Sequence, residues 1–332
     1  MIKEIFQKWT SAQAKAPKIP DCLEYAGKKK LNILVSGSSG LIGRALIAYL
    51  TEGGHSVKKL VRARSVSGET SLFWDPPGGF IDQGPLEHLD AVIHLAGEPV
   101  ASGRWSESKK RRIRGSRTEG TRLLSETLAH LKTPPGVMIA ASAVGYYGDR
   151  GDQLLNEDSP PGSGFLAEVC RDWETAAAPA GNTGIRVVNL RFGTVLSPAG
   201  GALAAMLPAF KAGLGGKLGA GNQYMSWISI DDALRAILHC LYSNELNGPV
   251  NAAAPRPVQN KEFTRTLARV LGRPAFCHLP AVVLKAIFGR MAEELLLSST
   301  RVEPALLLQS GFSFLHPELE NALRHLLGKK IR

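Results

Sequence analysis

The residues best suited by type and spacing to chemistry are the glycines of Leu31 to Gly43, LNILVSGSSGLIG. Gly37, Gly40 and Gly43 follow an apolar run of Leu31, Ile33, Leu34 and Val35 that reads as a buried parallel strand, and they lead into a helical pattern. That order builds a dinucleotide phosphate site. Gly37 and Gly40 let backbone approach a pyrophosphate, Gly43 lets the helix pack closely on the sheet, and the helix N-terminus faces the anion. Ser38, Ser39, Leu41 and Ile42 complete the stretch expected to line the cofactor. An ordinary strand–turn–helix is the competing reading.

The next strand, His55 to Val61, runs into Arg62, Ala63 and Arg64, where a site preferring NAD would carry an acid for the ribose 2′-hydroxyl. An arginine fork suits a 2′-phosphate instead, so Arg62 and Arg64 point to NADP (NADPH). The plainer alternative is two solvated loop arginines.

A sheet must position these groups. Asp90 to Leu95, Val137 to Ser142 and Ile185 to Leu190 read as further buried strands, with a helix over Lys109 to Leu131 between the first two. This alternation predicts an α/β fold, a Rossmann-type doubly wound parallel sheet with right-handed crossovers. After Arg191 a dense series of glycines, including Gly200, Gly201, Gly213, Gly215, Gly216, Gly219 and Gly221, surrounds a short helix at Ala202 to Lys211. Such density suits a mobile substrate lid. From Lys261 onward helical stretches dominate, separated by Pro274, Pro280 and Pro304. The expected division is an appendage over 1–30, a dinucleotide-binding domain over 31–200 whose core returns in part at 226–250, and a lid with a smaller, mostly helical C-terminal region over 201–332.

Composition narrows the classes. The 332 residues are 44% hydrophobic and 21% charged, a globular balance long enough to bury a large core. No apolar run reaches the length of a membrane span. The first thirty residues mix Glu4, Asp21 and Glu24 with lysines and lack a leader's apolar core, so cytoplasmic residence is expected, and the absence of arginine there argues against a mitochondrial transit peptide. Cys22, Cys170, Cys240 and Cys277 are scattered without metal-ligand or disulfide spacing, so reduced, mostly buried thiols and no metal site are expected. The net charge of +11 is densest at Lys109, Lys110, Arg111, Arg112, Arg114 and Arg117. No aromatics interleave there, and Ile113, Leu123, Leu124 and Leu128 give that helix one packed face, so a solvated helix is expected rather than a nucleic-acid footprint.

Several segments in order resemble the extended short-chain dehydrogenase/reductase superfamily, and within it the atypical epimerase-like branch. They are SGSSGLIG at Ser36 to Gly43, HLAGEPV at His94 to Val100, Arg104-Trp105, Ser116-Arg117, SAVGYYGDRG at Ser142 to Gly151 and GFLAEVCRDWE at Gly164 to Glu174. LRFGTVLS at Leu190 to Ser197, the glycine-rich Gly200 to Gln223, SWISIDD at Ser226 to Asp232 and a final block from Pro304 to Leu323 complete the series, the last similar to that branch's own C-terminal domain. The resemblance implies Gly37, Gly40 and Gly43 at the pyrophosphate, Arg62 at the 2′-phosphate, and Leu95, Ala96 and Gly97 beneath the adenosine-side ribose. It also implies Arg117 reaching the cofactor from its helix and Arg191 to Val195 passing near the nicotinamide.

The catalytic pattern departs from the superfamily. A standard member sets a tyrosine four residues before a lysine, and at the expected helix this chain reads Phe165 and Val169. Tyr146 and Arg150 share that separation, but in the segment matching the loop after the catalytic-serine strand. Ser142 holds the usual serine position, where its hydroxyl would polarise a substrate carbonyl, and Tyr146 or Tyr147 is left as substitute proton donor. Asp149, Asp152, Glu157 and Asp158 are expected as solvated turn residues, and His94 as a satisfied core residue. Trp227 and Met225 either wall the substrate space or, for Trp227, join the core. Phe6 and Trp9 either pin the appendage or mediate self-association. Three classes stay open: an NADP-dependent oxidoreductase or epimerase-like enzyme with an unconventional donor and an unknown small-molecule substrate; an NADPH-binding regulatory protein that passes redox state to a protein partner; and, without a recognition motif, nucleic-acid binding driven by the basic balance, which only strongly salt-dependent affinity would support.

Overall fold

The computed structural model describes residues 28–64 and 70–330. Phe6, Trp9 and Cys22 lie outside the described residues. The apolar runs form one large sheet of strands β1 (Asn32–Ser36), β2 (Ser56–Val61), β3 (Ser71–Asp75), β4 (Phe80–Ile81), β5 (Ala91–His94), β6 (Val137–Ala143), β7 (Arg186–Phe192) and β8 (Gly248–Ala252). Their order is β8-β7-β6-β5-β1-β2-β3-β4, parallel throughout except for the β3–β4 hairpin. The order reverses between β1 and β5, and the crevice at the carboxyl ends of these strands is where a doubly wound sheet takes a ligand.

Strand side chains alternate between two buried faces, as a sheet covered on both sides requires. Ile33, Val35, Ile93 and Ile139 join one core with Leu46 and Leu50 of helix α1 (Leu41–Glu52). Leu34, Val92 and Met138 join the opposite core with Leu124 and Leu128 of α2 (Glu107–Ala129). Helix α3 (Phe165–Ala176) packs beside α2. Beyond it come α4 (Gly201–Lys211), α5 (Ile230–Tyr242), α6 (Asn260–Leu271), α7 (Ala281–Phe288) and α8 (Leu319–Leu326). Helix α5 returns to the first core through Ala233, Leu234 and Ile237. A third core gathers Leu203, Leu207, Phe210, Phe263, Leu267 and Leu323 around Trp227. Trp227 is fully buried and donates its indole N–H to the Arg256 carbonyl at 3.0 Å, so it belongs to the core. Among the described residues no helix is long and apolar enough to cross a membrane.

Two features leave no mark in the pattern of apolar residues. The β3–β4 hairpin places Trp74 against α2, where a Cβ on Gly120 would stand 3.1 Å from its ring. The glycine-rich stretch is tied down by short ladders: Gly216–Leu218 pairs with Cys277–Leu279, and Tyr224–Met225 pairs with Val258–Gln259. Close approach explains Gly216 better than freedom does, since any Cβ there would overlap the Cys277 carbonyl.

Candidate functional site

The turn between β1 and α1 is shaped for an anion. Gly37 has φ +69°, and a Cβ on it would stand 2.6 Å from the Leu95 carbonyl carbon, so only glycine fits. Gly40 N–H closes the turn on the Gly37 carbonyl at 2.9 Å. The space beside Gly43 is filled by that carbonyl and by Ser38 Cα, so this glycine serves the turn itself rather than helix-to-sheet packing. Ser39 and Gly40 are exposed and Ser38 is half-buried. The first N–H groups of α1, next to Leu41 and Ile42, are therefore presented to a phosphate without competing side chains. Leu41 also touches the Gly200–Gly201 entry to α4, which joins the turn to the glycine-rich segment.

The facing wall is Leu95 to Glu98. Ser36 Oγ accepts from the amides of Leu95 and Ala96 at 3.1 and 3.3 Å and lies 2.6 Å from His94 Nδ1. With both lone pairs used, Ser36 donates to Nδ1, which makes Nε2 the protonated nitrogen, donating to Thr121 Oγ1 at 2.9 Å. Trp173 Nε1 donates to the same hydroxyl at 2.9 Å. His94 is therefore a satisfied core residue, and burial pushes its pKa down to about 4.

Arg117 differs from expectation. Its Nη1 donates to the carbonyls of Glu98 and Ile113 at 3.0 and 3.1 Å, its guanidinium stacks 4.9 Å from the Trp173 ring, and it lies directly beneath Gly97. It braces the loop instead of extending to a ligand. Lys109 also departs from the solvated helix face: it is buried and reaches Glu98 Oε1 and Ser102 Oγ at 2.6 Å each. Arg62 is exposed beside this wall and makes no ion pair or hydrogen bond among the described residues. Together with Lys109 and Arg112 it holds the Glu98 carboxyl below its ordinary range, the Lys109 hydrogen bond being the largest cause. Arg64 instead stacks 4.6 Å over the Phe73 ring, so the two arginines do not form a fork.

At the carboxyl ends of β6 and β7, side chains from β6, the turn after it, α3, β7 and β8 converge. Glu174 of α3 accepts from Ser142 Oγ at 2.7 Å and pairs bidentately with Arg191, Oε1 to Nε and Oε2 to Nη2, both at 2.8 Å. Arg191 Nη1 donates to the Tyr147 hydroxyl at 2.8 Å, and that hydroxyl donates to Asn251 Oδ1 at 2.8 Å. Tyr147 is fully buried, and burial raises its pKa to about 12. It is a structural post rather than a substrate-facing donor. Ser142 is likewise buried and committed to Glu174, and Arg191 is neutralised within the protein rather than offered to a cofactor. Tyr146 remains: half-buried, its ring lies 3.5 Å from the Arg191 guanidinium and edge-on to Tyr147, and its hydroxyl has no hydrogen bond among the described residues. Val195 is held in the Thr194–Leu196 strand opposite Ile228 and packs on the first core. Glu174 and Asn251 were missed by sequence reasoning; Glu174 ends a motif whose other members carry the resemblance, and nothing local marks its charge as buried.

Val169 is buried, and Phe165 packs edge-on against Trp105 with ring centroids 5.3 Å apart. In the acidic loop, Asp152 and Asp158 are exposed as expected, but Glu157 is not: it is buried, accepts from the Asn251 and Leu306 amides at 3.0 and 3.2 Å, and burial raises its pKa. Asp149 Oδ1 accepts from Ser299 N–H at 3.1 Å. This loop borders a cavity of about 800 Å³ lined also by Asn222, Gln223, Tyr224, Gln259 and Lys261.

Residues 33–253 match the family model described as NAD dependent epimerase/dehydratase family. The chain belongs to this family. Residues 279–326 of this epimerase-family chain match a second model, described as a domain of unknown function, DUF1731. Among relatives, it is 45% identical over 291 residues to the epimerase family protein MT2273 of Mycobacterium tuberculosis, covering 88% of this chain and 96% of that one. The crystal structure of human epimerase family protein SDR39U1 (isoform 2) with NADPH is similar at TM-score 0.81 and 35% identity, covering 89% of this chain and 99% of that one. The nucleoside-diphosphate sugar epimerase of Corynebacterium glutamicum is similar at TM-score 0.74 and 40% identity, covering 90% of this chain and 59% of that one. These likenesses agree with the Rossmann-type sheet described above, which the epimerase-family match over 33–253 spans.

Proposed function

We propose that this chain is an NADP(H)-binding oxidoreductase or epimerase-like enzyme in which Tyr146 exchanges a proton with the substrate oxygen. The observation that carries this reading is the state of the three candidate hydroxyls: Ser142 and Tyr147 are spent in a buried Glu174–Arg191 scaffold, and against that scaffold lies Tyr146, whose hydroxyl has no hydrogen bond among the described residues. A donor so positioned is the remaining part of the usual acid–base apparatus. The β1–α1 turn, with Ser38, Ser39 and the amino end of α1, would hold the pyrophosphate, Leu95 to Gly97 would wall the ribose, and Arg62 would meet the 2′-phosphate. The NADPH crystallised with human SDR39U1 supports that choice of cofactor. When bound, the nicotinamide supplies redox chemistry; the protein's residues bind, orient and move the proton.

The cavity beside the Asp149 loop, lined by amides, hydroxyls and charges of both signs, suits a polar small molecule and lies within the usual size range of ligand sites. The free thiols of Cys170, Cys240 and Cys277 suit a reducing compartment, which supports cytoplasmic residence. Phe165 and Val169 favour a second reading, an NADPH-binding regulator, because neither position can carry a proton donor.

A broad metabolite screen followed by NADPH absorbance, run on wild type and on Tyr146→Phe, tests the proposal. The expected outcome is turnover of some polar substrate that falls about 10²–10⁴-fold in Tyr146→Phe, the usual worth of a positioned donor. Turnover untouched by the substitution would remove Tyr146 from the chemistry, and inactivity throughout with NADPH bound would favour the regulator.

A further inference from the structure

Asp231, in the first turn of α5, has a side chain only 2% exposed, yet its Oδ2 takes no hydrogen bond. Two histidines of the C-terminal segment converge on that oxygen. His325 Nε2 lies 2.9 Å from Oδ2 and His316 Nε2 lies 3.9 Å from it. The nearer approach is a charged-pair contact rather than a well-aligned hydrogen bond. The imidazoles are stacked, with centroids 4.4 Å and planes 30° apart. All three donor atoms lie within 4.8 Å of one another.

This is the donor set and the spacing of a cation site. Around a tetrahedral zinc with nitrogen and oxygen ligands at about 2.0–2.2 Å, neighbouring donors stand about 3.4 Å apart. The observed 2.9 and 3.9 Å separations fall on either side of that value. The segment carrying His316 is held in place: Asp232 accepts from the amides of Leu315 and His316 at 2.7 and 3.0 Å, and Ser229 Oγ donates to the same carboxylate at 2.9 Å. His325 projects from α8 with 42% of its side chain exposed, which leaves an entry path and room for a water as fourth ligand.

We propose that Asp231, His316 and His325 form a site for a borderline divalent transition metal, zinc by its donor set, that clamps the C-terminal segment onto the amino end of α5. Two imidazoles with one carboxylate favour such a metal over magnesium or calcium, which take oxygen ligands in greater number. Because the folded chain assembles donors that the unfolded chain holds apart, bound metal should stabilise the fold.

The test uses the full chain, stripped with a chelator and titrated with zinc by calorimetry and with cobalt by visible absorption. One equivalent of zinc should bind and raise Tm, cobalt should show the intense bands of a tetrahedral site, and magnesium should not compete. His325→Ala and His316→Ala should each weaken zinc binding by at least roughly tenfold, since losing a ligand costs no less than losing a ligand's outer partner. Circular dichroism melting of each metal-free variant reports whether it folds, and the partly exposed His325 makes its variant the decisive one. Failure of the wild-type chain to bind zinc at submillimolar concentration, or equal zinc affinity in a folded His325→Ala, would overturn the proposal.

Discussion

Tyr146 and Tyr147 are adjacent in sequence and opposite in circumstance, and burial alone separates them. Tyr147→Phe deletes a hydroxyl that both accepts from Arg191 and donates to Asn251, so unfolding in urea should show a loss of about 1–3 kcal/mol, the cost of leaving buried polar partners unsatisfied. Tyr146→Phe removes a hydroxyl with no hydrogen bond among the described residues and should leave that midpoint nearly unchanged while lowering turnover. Arg62 is the other residue whose role is its own. Arg62→Ala should weaken NADPH binding by about 1.5–3 kcal/mol, the worth of hydrogen bonds to a charged group, and leave NADH binding nearly unaltered in calorimetric titration. Equal losses for both nucleotides would remove Arg62 from the 2′-phosphate. Arg64, over Phe73, should matter far less to either.

At the scale of elements, Glu174 is the brace that ties α3 to the ends of β6 and β7, through Ser142 and Arg191 respectively. The Arg191 side chain is 3% exposed, so Glu174→Ala would strand a buried guanidinium. Breaking such a pair costs roughly 3–5 kcal/mol, which equilibrium denaturation would register, and the platform under the Tyr146 ring would be lost with it. The β1–α1 turn depends on one backbone conformation. Gly37→Ala would force a side chain into a left-handed residue and against the Leu95 carbonyl, so NADPH binding should be abolished by a turn that no longer closes on the strand beside it. An unchanged nucleotide affinity in that variant would mean the turn is not the phosphate site.

Across the molecule, His94 links β1, β5, α2 and α3 through Ser36, Thr121 and Trp173. Its folded pKa of about 4 lies below the ordinary 6.5 because the ring is wholly buried. Above pH 6.5 the ring is neutral folded and unfolded alike, and it contributes no pH dependence. As pH falls from 6.5 towards 4, the unfolded chain gains a proton that the folded chain resists, so stability drops by roughly 3 kcal/mol over that window and levels off below it. Denaturation of wild type and His94→Asn at several pH values checks this; the variant should show a shallower acid slope between those limits, and identical slopes would acquit His94.

Local order was legible in the sequence. The run Leu31 to Gly43, the alternation of apolar runs with helical patterns and the continuous apolar character of β1 and β5 are properties of neighbouring residues, and backbone geometry turns them into a doubly wound sheet with a phosphate turn at its switch point. The candidate site is of another kind. Ser142 meets Glu174 across 32 residues, Arg191 meets Tyr147 across 44, and Asn251 meets Tyr147 across 104, and no periodicity encodes such meetings. Lys109, Glu157 and Tyr147 read as ordinary surface or site residues until the packing of the body shows them buried beside specific partners. Asp231 comes together with His316 and His325 only because the chain around 316–325 returns to the amino end of α5. Charge and hydroxyl chemistry are written in residue types, but whether a group faces solvent, a ligand or a buried counter-ion depends on distant chain closing over it, and only the tertiary structure decides that.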